Sequence, residues 1–183
     1  MSSKQYVSST QINNQVKLRI MIHEVSGDIL LSKAQAIAHS VAPHDHFDSG
    51  LALSLRQELP AMYKDFKHFC HVKNPVPGTA WFWGGASGAR IINLMTQDAP
   101  GGQKHSGHPG HASLSNVGHA LDALKKIVEK EGIESVAIPR LATGVGGLKW
   151  EEVKPLIYER LADLKAEVYV YATYVKGQAA GEN

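Results

Sequence analysis

Cysteine is nearly absent: Cys70 is the single one in 183 residues. One thiol cannot close an intramolecular disulfide, and no Cys-x-x-Cys pair is present for metal or redox chemistry. Long apolar runs are also missing, with none near the roughly 20 residues that a membrane-spanning helix needs. The opening "MSSKQYVSSTQINNQ" lacks the apolar core of a signal peptide. These shortages lead us to expect a cytoplasmic protein with no membrane partner. Excess charge is lacking too. A net charge of +2 at pH 7 provides no broad field for steering nucleic acid, so direct nucleic-acid binding is not indicated. The loop "GGQKHS" does not match Gly-x4-Gly-Lys-Ser/Thr, which excludes a P-loop.

What is present suits one soluble domain, 43% hydrophobic and 20% charged, long enough to bury a core. Residues 1–15 are polar and aperiodic, and 176–183, "KGQAAGEN", look equally unstructured, so a loose leader and a flexible tail are expected around a domain spanning 16–175. "KLRIMIHEV" (17–25) alternates as a strand, and "AQAIAHSVA" (34–42) is a short apolar one. Leu51, Leu55 and Leu59 fall at helical spacing, Pro60 suits the first turn of a second helix, and "TAWFWGG" and "ARIINLMTQ" read as strands around a glycine turn. Ser113 caps a helix that Gly132 closes; a strand (134–140), a helix from Trp150 and the strand "AEVYVYATY" follow. The order β-β-α-α-β-β-α-β-α-β predicts a three-layer α/β domain with a largely parallel central sheet. No linker or internal repeat interrupts it, and a monomer is expected.

In such sheets ligands bind beyond the carboxyl ends of the strands. "SGDI", "PHDHFDSG", "TQDAP" and "ATGVGG" all follow strands, so parallel strands would gather these loops at one edge. In "PRLATGVGGLKW", residues 139–150, Gly144, Gly146 and Gly147 lie between a strand and a helix. Glycines at the mouth of a helix expose amides that favour phosphate, although alone such a turn can serve chain reversal only.

Three segments in this order resemble the macrodomain, an ADP-ribose-binding module: "HEVSGDIL", "DSGLALSL" and "IPRLATGVGGLKWEEV". The form of the third is similar to the branch that contains terminal ADP-ribose protein glycohydrolases and antitoxin macrodomains that remove ADP-ribose from DNA. The resemblance implies a three-layer α/β/α macrodomain with a mixed, largely parallel central sheet. It also implies that ADP-ribose, free or on a macromolecule, is the partner, and that no cofactor is needed. By this resemblance Asp28 accepts from the exocyclic amine of adenine and the Ile29 amide donates to a ring nitrogen. Ser49, Gly50 and Leu51 begin a helix whose amides face a phosphate, and Thr143, Gly144, Val145 and Gly146 embrace the diphosphate from the other side. Tyr171, with Tyr174 as substitute, lends an aromatic face near adenine. Each has a plainer role available: a turn aspartate, a helix start, a chain reversal, a strand tyrosine packed on the core.

The branch's catalytic lysine has no counterpart, because "NLMTQDAP" places Gln97 there, and Gly146 stands where a subset carries aspartate. Gln97 can hydrogen-bond but can neither form a Schiff base nor act as a base. Asp48 and His46 are therefore the catalytic candidates, with His44, Asp45 and Asp98 nearby. An imidazole titrates near neutral pH, and a carboxylate can position it or a water. Asp48 could equally be a helix N-cap and His46 a solvated loop residue. His105, His108 and His111, in "HSGHPGH", have ligand-type side chains, yet glycine and proline between them argue against a preformed cage, and no metal is expected. A hydrolase of ADP-ribosylated protein, nucleic acid or ADP-ribose 1″-phosphate, or a non-catalytic reader, are the two functions to separate.

Overall fold

The computed structural model describes residues 21–101 and 109–183. Six strands, β1 (Ile22–Gly27), β2 (Ala36–Val41), β3 (Ala80–Gly84), β4 (Arg90–Met95), β5 (Ser135–Pro139) and β6 (Glu167–Tyr174), form one sheet in the order β1-β6-β5-β2-β4-β3. All neighbours pair in parallel except the β3–β4 hairpin at one edge. Four helices, α1 (Gly50–Glu58), α2 (Pro60–Lys73), α3 (Leu114–Lys130) and α4 (Trp150–Leu161), complete the predicted order. The local signals explain the boundaries. Pro60 opens α2, where its missing N–H costs nothing. The Ser113 hydroxyl accepts from the Asn116 amide as the α3 N-cap, and Gly132, at φ +62°, takes the left-handed position past that helix's end.

Side-chain alternation sends β-residues to opposite faces. Ala38, Leu94, Ile138 and Val170 lie under α3 and α4, packed by Leu121, Leu124, Ile157 and Leu161. On the other face α1 and α2 cover Val41, Ile91 and Met95 with Leu55, Met62 and Phe66. The β5–β6 part of that face is covered differently, by a single 3₁₀ turn, Ile29–Leu31, and by the C-terminal segment, which together bury Ala137, Tyr169 and Tyr171.

This corrects two expectations. The first strand extends beyond Val25 to Gly27, because its pairing with β6 resumes after an irregularity between Val25 and Ser26. Residues 176–183, expected as a flexible tail, fold back on the sheet: the Asp28 amide donates to the Gln178 carbonyl at 2.7 Å, and the Tyr169 hydroxyl donates to the Asn183 carbonyl at 2.7 Å. Polar composition hid a segment whose partners are backbone groups, the Asp28 carboxylate and the hydroxyls of Ser32, Tyr169 and Tyr171. The expected leader, 1–15, lies outside the described residues, as do His105 and His108. Among the described residues no helix is long and apolar enough to cross a membrane.

Candidate functional site

The parallel register puts the carboxyl ends of β1, β2, β5 and β6 on one edge, and two cavities open there side by side, of about 660 and 340 Å³. They share Gly50, Leu51, Pro139 and Arg140, so they form one groove with two compartments.

The larger compartment lies beyond β1 and β6. Asp28, Ile29, Leu51, Tyr171 and Tyr174 line it. Asp28 caps the 3₁₀ turn: one carboxylate oxygen accepts from the Leu30 amide at 3.1 Å, the other from the Gly177 amide at 2.9 Å. Tyr171 is 5% exposed and its hydroxyl donates to Glu182. Burial first, then that carboxylate, push the phenol pKa up. Tyr174 is 67% exposed and offers the open aromatic face of this compartment.

The smaller compartment is built between two turns. On one side α1 begins: its first N–H groups have no intrahelical acceptor, and the Ser49 side chain makes no capping bond to them. Ser49, Gly50 and Leu51 line the cavity there. On the other side lies the loop after β5, contributing Gly144, Val145 and Gly146. That loop is pinned from behind. The Ala142 amide donates to Ser40 Oγ at 3.0 Å, Leu148 N–H to the Ala142 carbonyl at 3.0 Å, and Ala112 N–H to the Gly146 carbonyl at 3.0 Å. Among the described residues, the amides of 143–146 have no acceptor. N–H groups without an acceptor among the described residues, at the start of α1 and at 144–146, therefore flank one cavity, an arrangement whose chemistry suits an anion. Arg140 adds a cation to both compartments; its Nε donates to the Ala172 carbonyl and its guanidinium lies over Trp150.

The loop after β2 closes the far end. Asp45, 5% exposed, lines the cavity and ties the loop together, accepting from Ala42 N–H at 3.0 Å and Phe47 N–H at 2.9 Å. Burial raises its pKa, against those two bonds. Phe47 takes a left-handed φ of +52°, a strained choice offset by burying its ring against Phe66 and edge-on to His39. His39 is 1% exposed on the cavity wall, with Nε2 2.7 Å from Asn93 Oδ1. An amide oxygen only accepts, so Nε2 carries the proton and Nδ1, which has no partner among the described residues, holds a bare lone pair. Burial pushes this imidazole's pKa down to about 4.

The structure brings together Asp28, Ile29, Ser49, Gly50, Leu51, Gly144, Val145, Gly146 and Tyr171 on the groove walls. Thr143 is half-buried and not on a wall; its hydroxyl donates to the Arg140 carbonyl. His46 and Asp48 are exposed and do not line either cavity, although they flank residues that do. Gln97 lines the smaller compartment, its amide donating to the Gly110 carbonyl at 3.2 Å. His39, Ser40 and Arg140 went unread in the sequence. The available signal was two polar residues, His39 and Ser40, in an otherwise apolar strand near its carboxyl end.

The profile of the Macro domain family matches residues 38–157, well over half of the chain. This chain belongs to the macro domain family. A curated relative from Thermosipho africanus, described as a DNA ADP-ribosyl transferase-DNA ADP-ribosyl glycohydrolase fusion protein, is 29% identical over 174 residues. That match takes in 87% of this chain but 44% of the relative, so the chain spans less than half of that protein's length. Among solved structures, the macrodomain of Thermus aquaticus DarG superposes with a TM-score of 0.70 at 26% identity, over 83% of this chain and 98% of that one. Thermosipho africanus DarTG in complex with ADP-ribose superposes at 0.72 and 22% identity, over 89% of this chain and 44% of that one, a likeness of fold.

Proposed function

We propose that this macrodomain binds ADP-ribose along the two-compartment groove and hydrolyses an ADP-ribosyl derivative whose distal ribose enters the smaller compartment. The observation that carries the reading is a pair of turns, at the start of α1 and at 144–146, that line opposite sides of one compartment with amides lacking acceptors among the described residues, beside a compartment that offers Asp28. A diphosphate spans the turns without needing a P-loop lysine, and Arg140 compensates its charge. Adenine in the larger compartment donates its amine to Asp28 and accepts from the Ile29 amide. The distal ribose then meets His39, Asp45 and Gln97. The Thermosipho africanus relative, described as carrying a DNA ADP-ribosyl glycohydrolase, favours ADP-ribosylated DNA as the modified substrate.

His46 and Asp48, at the mouth beside that compartment, are the groups we propose to move a proton or orient a water. The test is calorimetry with ADP-ribose beside turnover on ADP-ribosylated DNA, ADP-ribosylated protein and ADP-ribose 1″-phosphate. We expect binding, turnover of at least one substrate, and an Asp48→Ala variant that binds but turns over at least about 100-fold more slowly, the usual scale for losing a general acid or base. Binding without turnover on all three would leave a reader. That second reading is favoured by one feature, the neutral amide of Gln97 on the catalytic-side wall.

A further inference from the structure

After β6 the chain doubles back against the turn that carries Asp28. Val175 N–H donates to the Gly27 carbonyl at 3.1 Å, Gly177 N–H to Asp28 Oδ2 at 2.9 Å, and Asp28 N–H to the Gln178 carbonyl at 2.7 Å. The approach is backbone against backbone: a Cβ on Gly27 would come within 2.8 Å of both Ala180 N and the Gln178 carbonyl oxygen. Ala180 then packs on the cluster of Ile29, Tyr169 and Tyr171. At the far end the Glu182 carboxylate gathers three donors, the hydroxyls of Ser32 and Tyr171 on one oxygen and Lys33 N–H, at 2.8 Å, on the other.

The segment therefore holds two walls of the larger compartment at once. A carboxylate free to rotate can accept from many directions, whereas both oxygens of Asp28 are already fixed, one by Leu30 and one by Gly177. Each oxygen keeps a second lone pair for a ligand, in a defined direction. We infer that residues 175–183 are a positioning strap that sets the nucleobase selectivity of the groove, with Glu182 as its anchor. The inference rests on the ADP-ribose reading above. Adenine offers a donor amine to the held carboxylate. Hypoxanthine presents a carbonyl oxygen there and a ring N–H towards the Ile29 amide, so the fixed geometry rejects it.

The intact chain tests this by calorimetry with ADP-ribose and with its hypoxanthine analogue. Wild-type protein should prefer ADP-ribose. Glu182→Ala should weaken ADP-ribose about five- to tenfold, the effect of one lost hydrogen bond, and leave the analogue nearly unchanged, so the preference shrinks. Glu182→Gln keeps an acceptor oxygen for the two hydroxyls and should restore it. Ser32→Ala, which lies off both cavity walls, should act in the same direction should Glu182→Ala not fold. Hydrogen exchange of the Asp28 amide should quicken in Glu182→Ala and in Ser32→Ala. Equal weakening of both nucleotides, or unaltered selectivity in folded variants, would overturn the strap while leaving ADP-ribose binding intact. Wild-type protein that binds neither nucleotide would overturn the ADP-ribose reading itself.

Discussion

His39 sits in a strand where every neighbour is apolar or small, and its cost is visible in its titration. With the folded pKa lowered from 6.5 to about 4, the unfolded chain binds more protons throughout that interval. Its contribution is therefore fully present above pH 6.5 and lost as pH falls towards 4, about 3 kcal/mol in all. Asp45 works in the opposite sense, since its raised pKa favours the folded state on the acid side and loses that advantage as pH rises through the folded value. His39→Gln, compared with wild type by urea melts at pH 4.5 and pH 7, should flatten the decline; an unchanged slope would refute the buried neutral imidazole. Glycine positions allow an equally sharp comparison. A Cβ on Gly146 would meet the Ala142 carbonyl oxygen at 2.6 Å, whereas Gly144 faces open space. Gly146→Ala should cost about 1–3 kcal/mol of stability. Gly144→Ala should melt within about 0.5 kcal/mol of wild type and yet bind ADP-ribose about tenfold more weakly, because it adds a methyl to a residue that lines the smaller compartment.

Two helices begin with serine, and the elements use them differently. Ser113 caps α3 through its side chain; Ser49 leaves the start of α1 uncapped at a cavity wall. Ser113→Ala should lower stability by about 1 kcal/mol, or about 2–4 °C in Tm. Ser49→Ala should leave the apo Tm unchanged. Thermal melts that show equal losses would mean α1 relies on Ser49 as an ordinary cap. Both serines were legible as helix starts, but the difference between them was not, because it depends on what stands opposite the first turn. The glycine loop is similar. Three glycines between a strand and a helix suit a close approach, while the bonds from Ala112 and to Ser40 that pin the loop beside the groove come from segments roughly 30 and 100 residues away.

For the whole molecule, the groove joins four loops, so a ligand that bridges them ties the sheet's working edge together. ADP-ribose at 100 times its Kd should stabilise the fold by about 2.7 kcal/mol, a rise of about 5–10 °C in Tm. No shift at millimolar nucleotide would count against the groove as its site. The same view explains why the C-terminal segment was misread. Its residues are small or polar and carry no periodicity, so nothing local promises structure. Its order comes from Asp28, Ser32, Lys33 and Tyr171, groups presented by β6 and by the turn after β1.

Element order and the largely parallel pairing were determined by the sequence itself, because apolar period, caps and glycines act over a few residues. Tertiary structure alone decided that His39, Asp45 and Gln97 share one wall, that His46 and Asp48 stand off it, and that the last residues brace Asp28. Those outcomes depend on strand register and on hydrogen bonds between distant segments, and neither leaves a periodic trace along the chain.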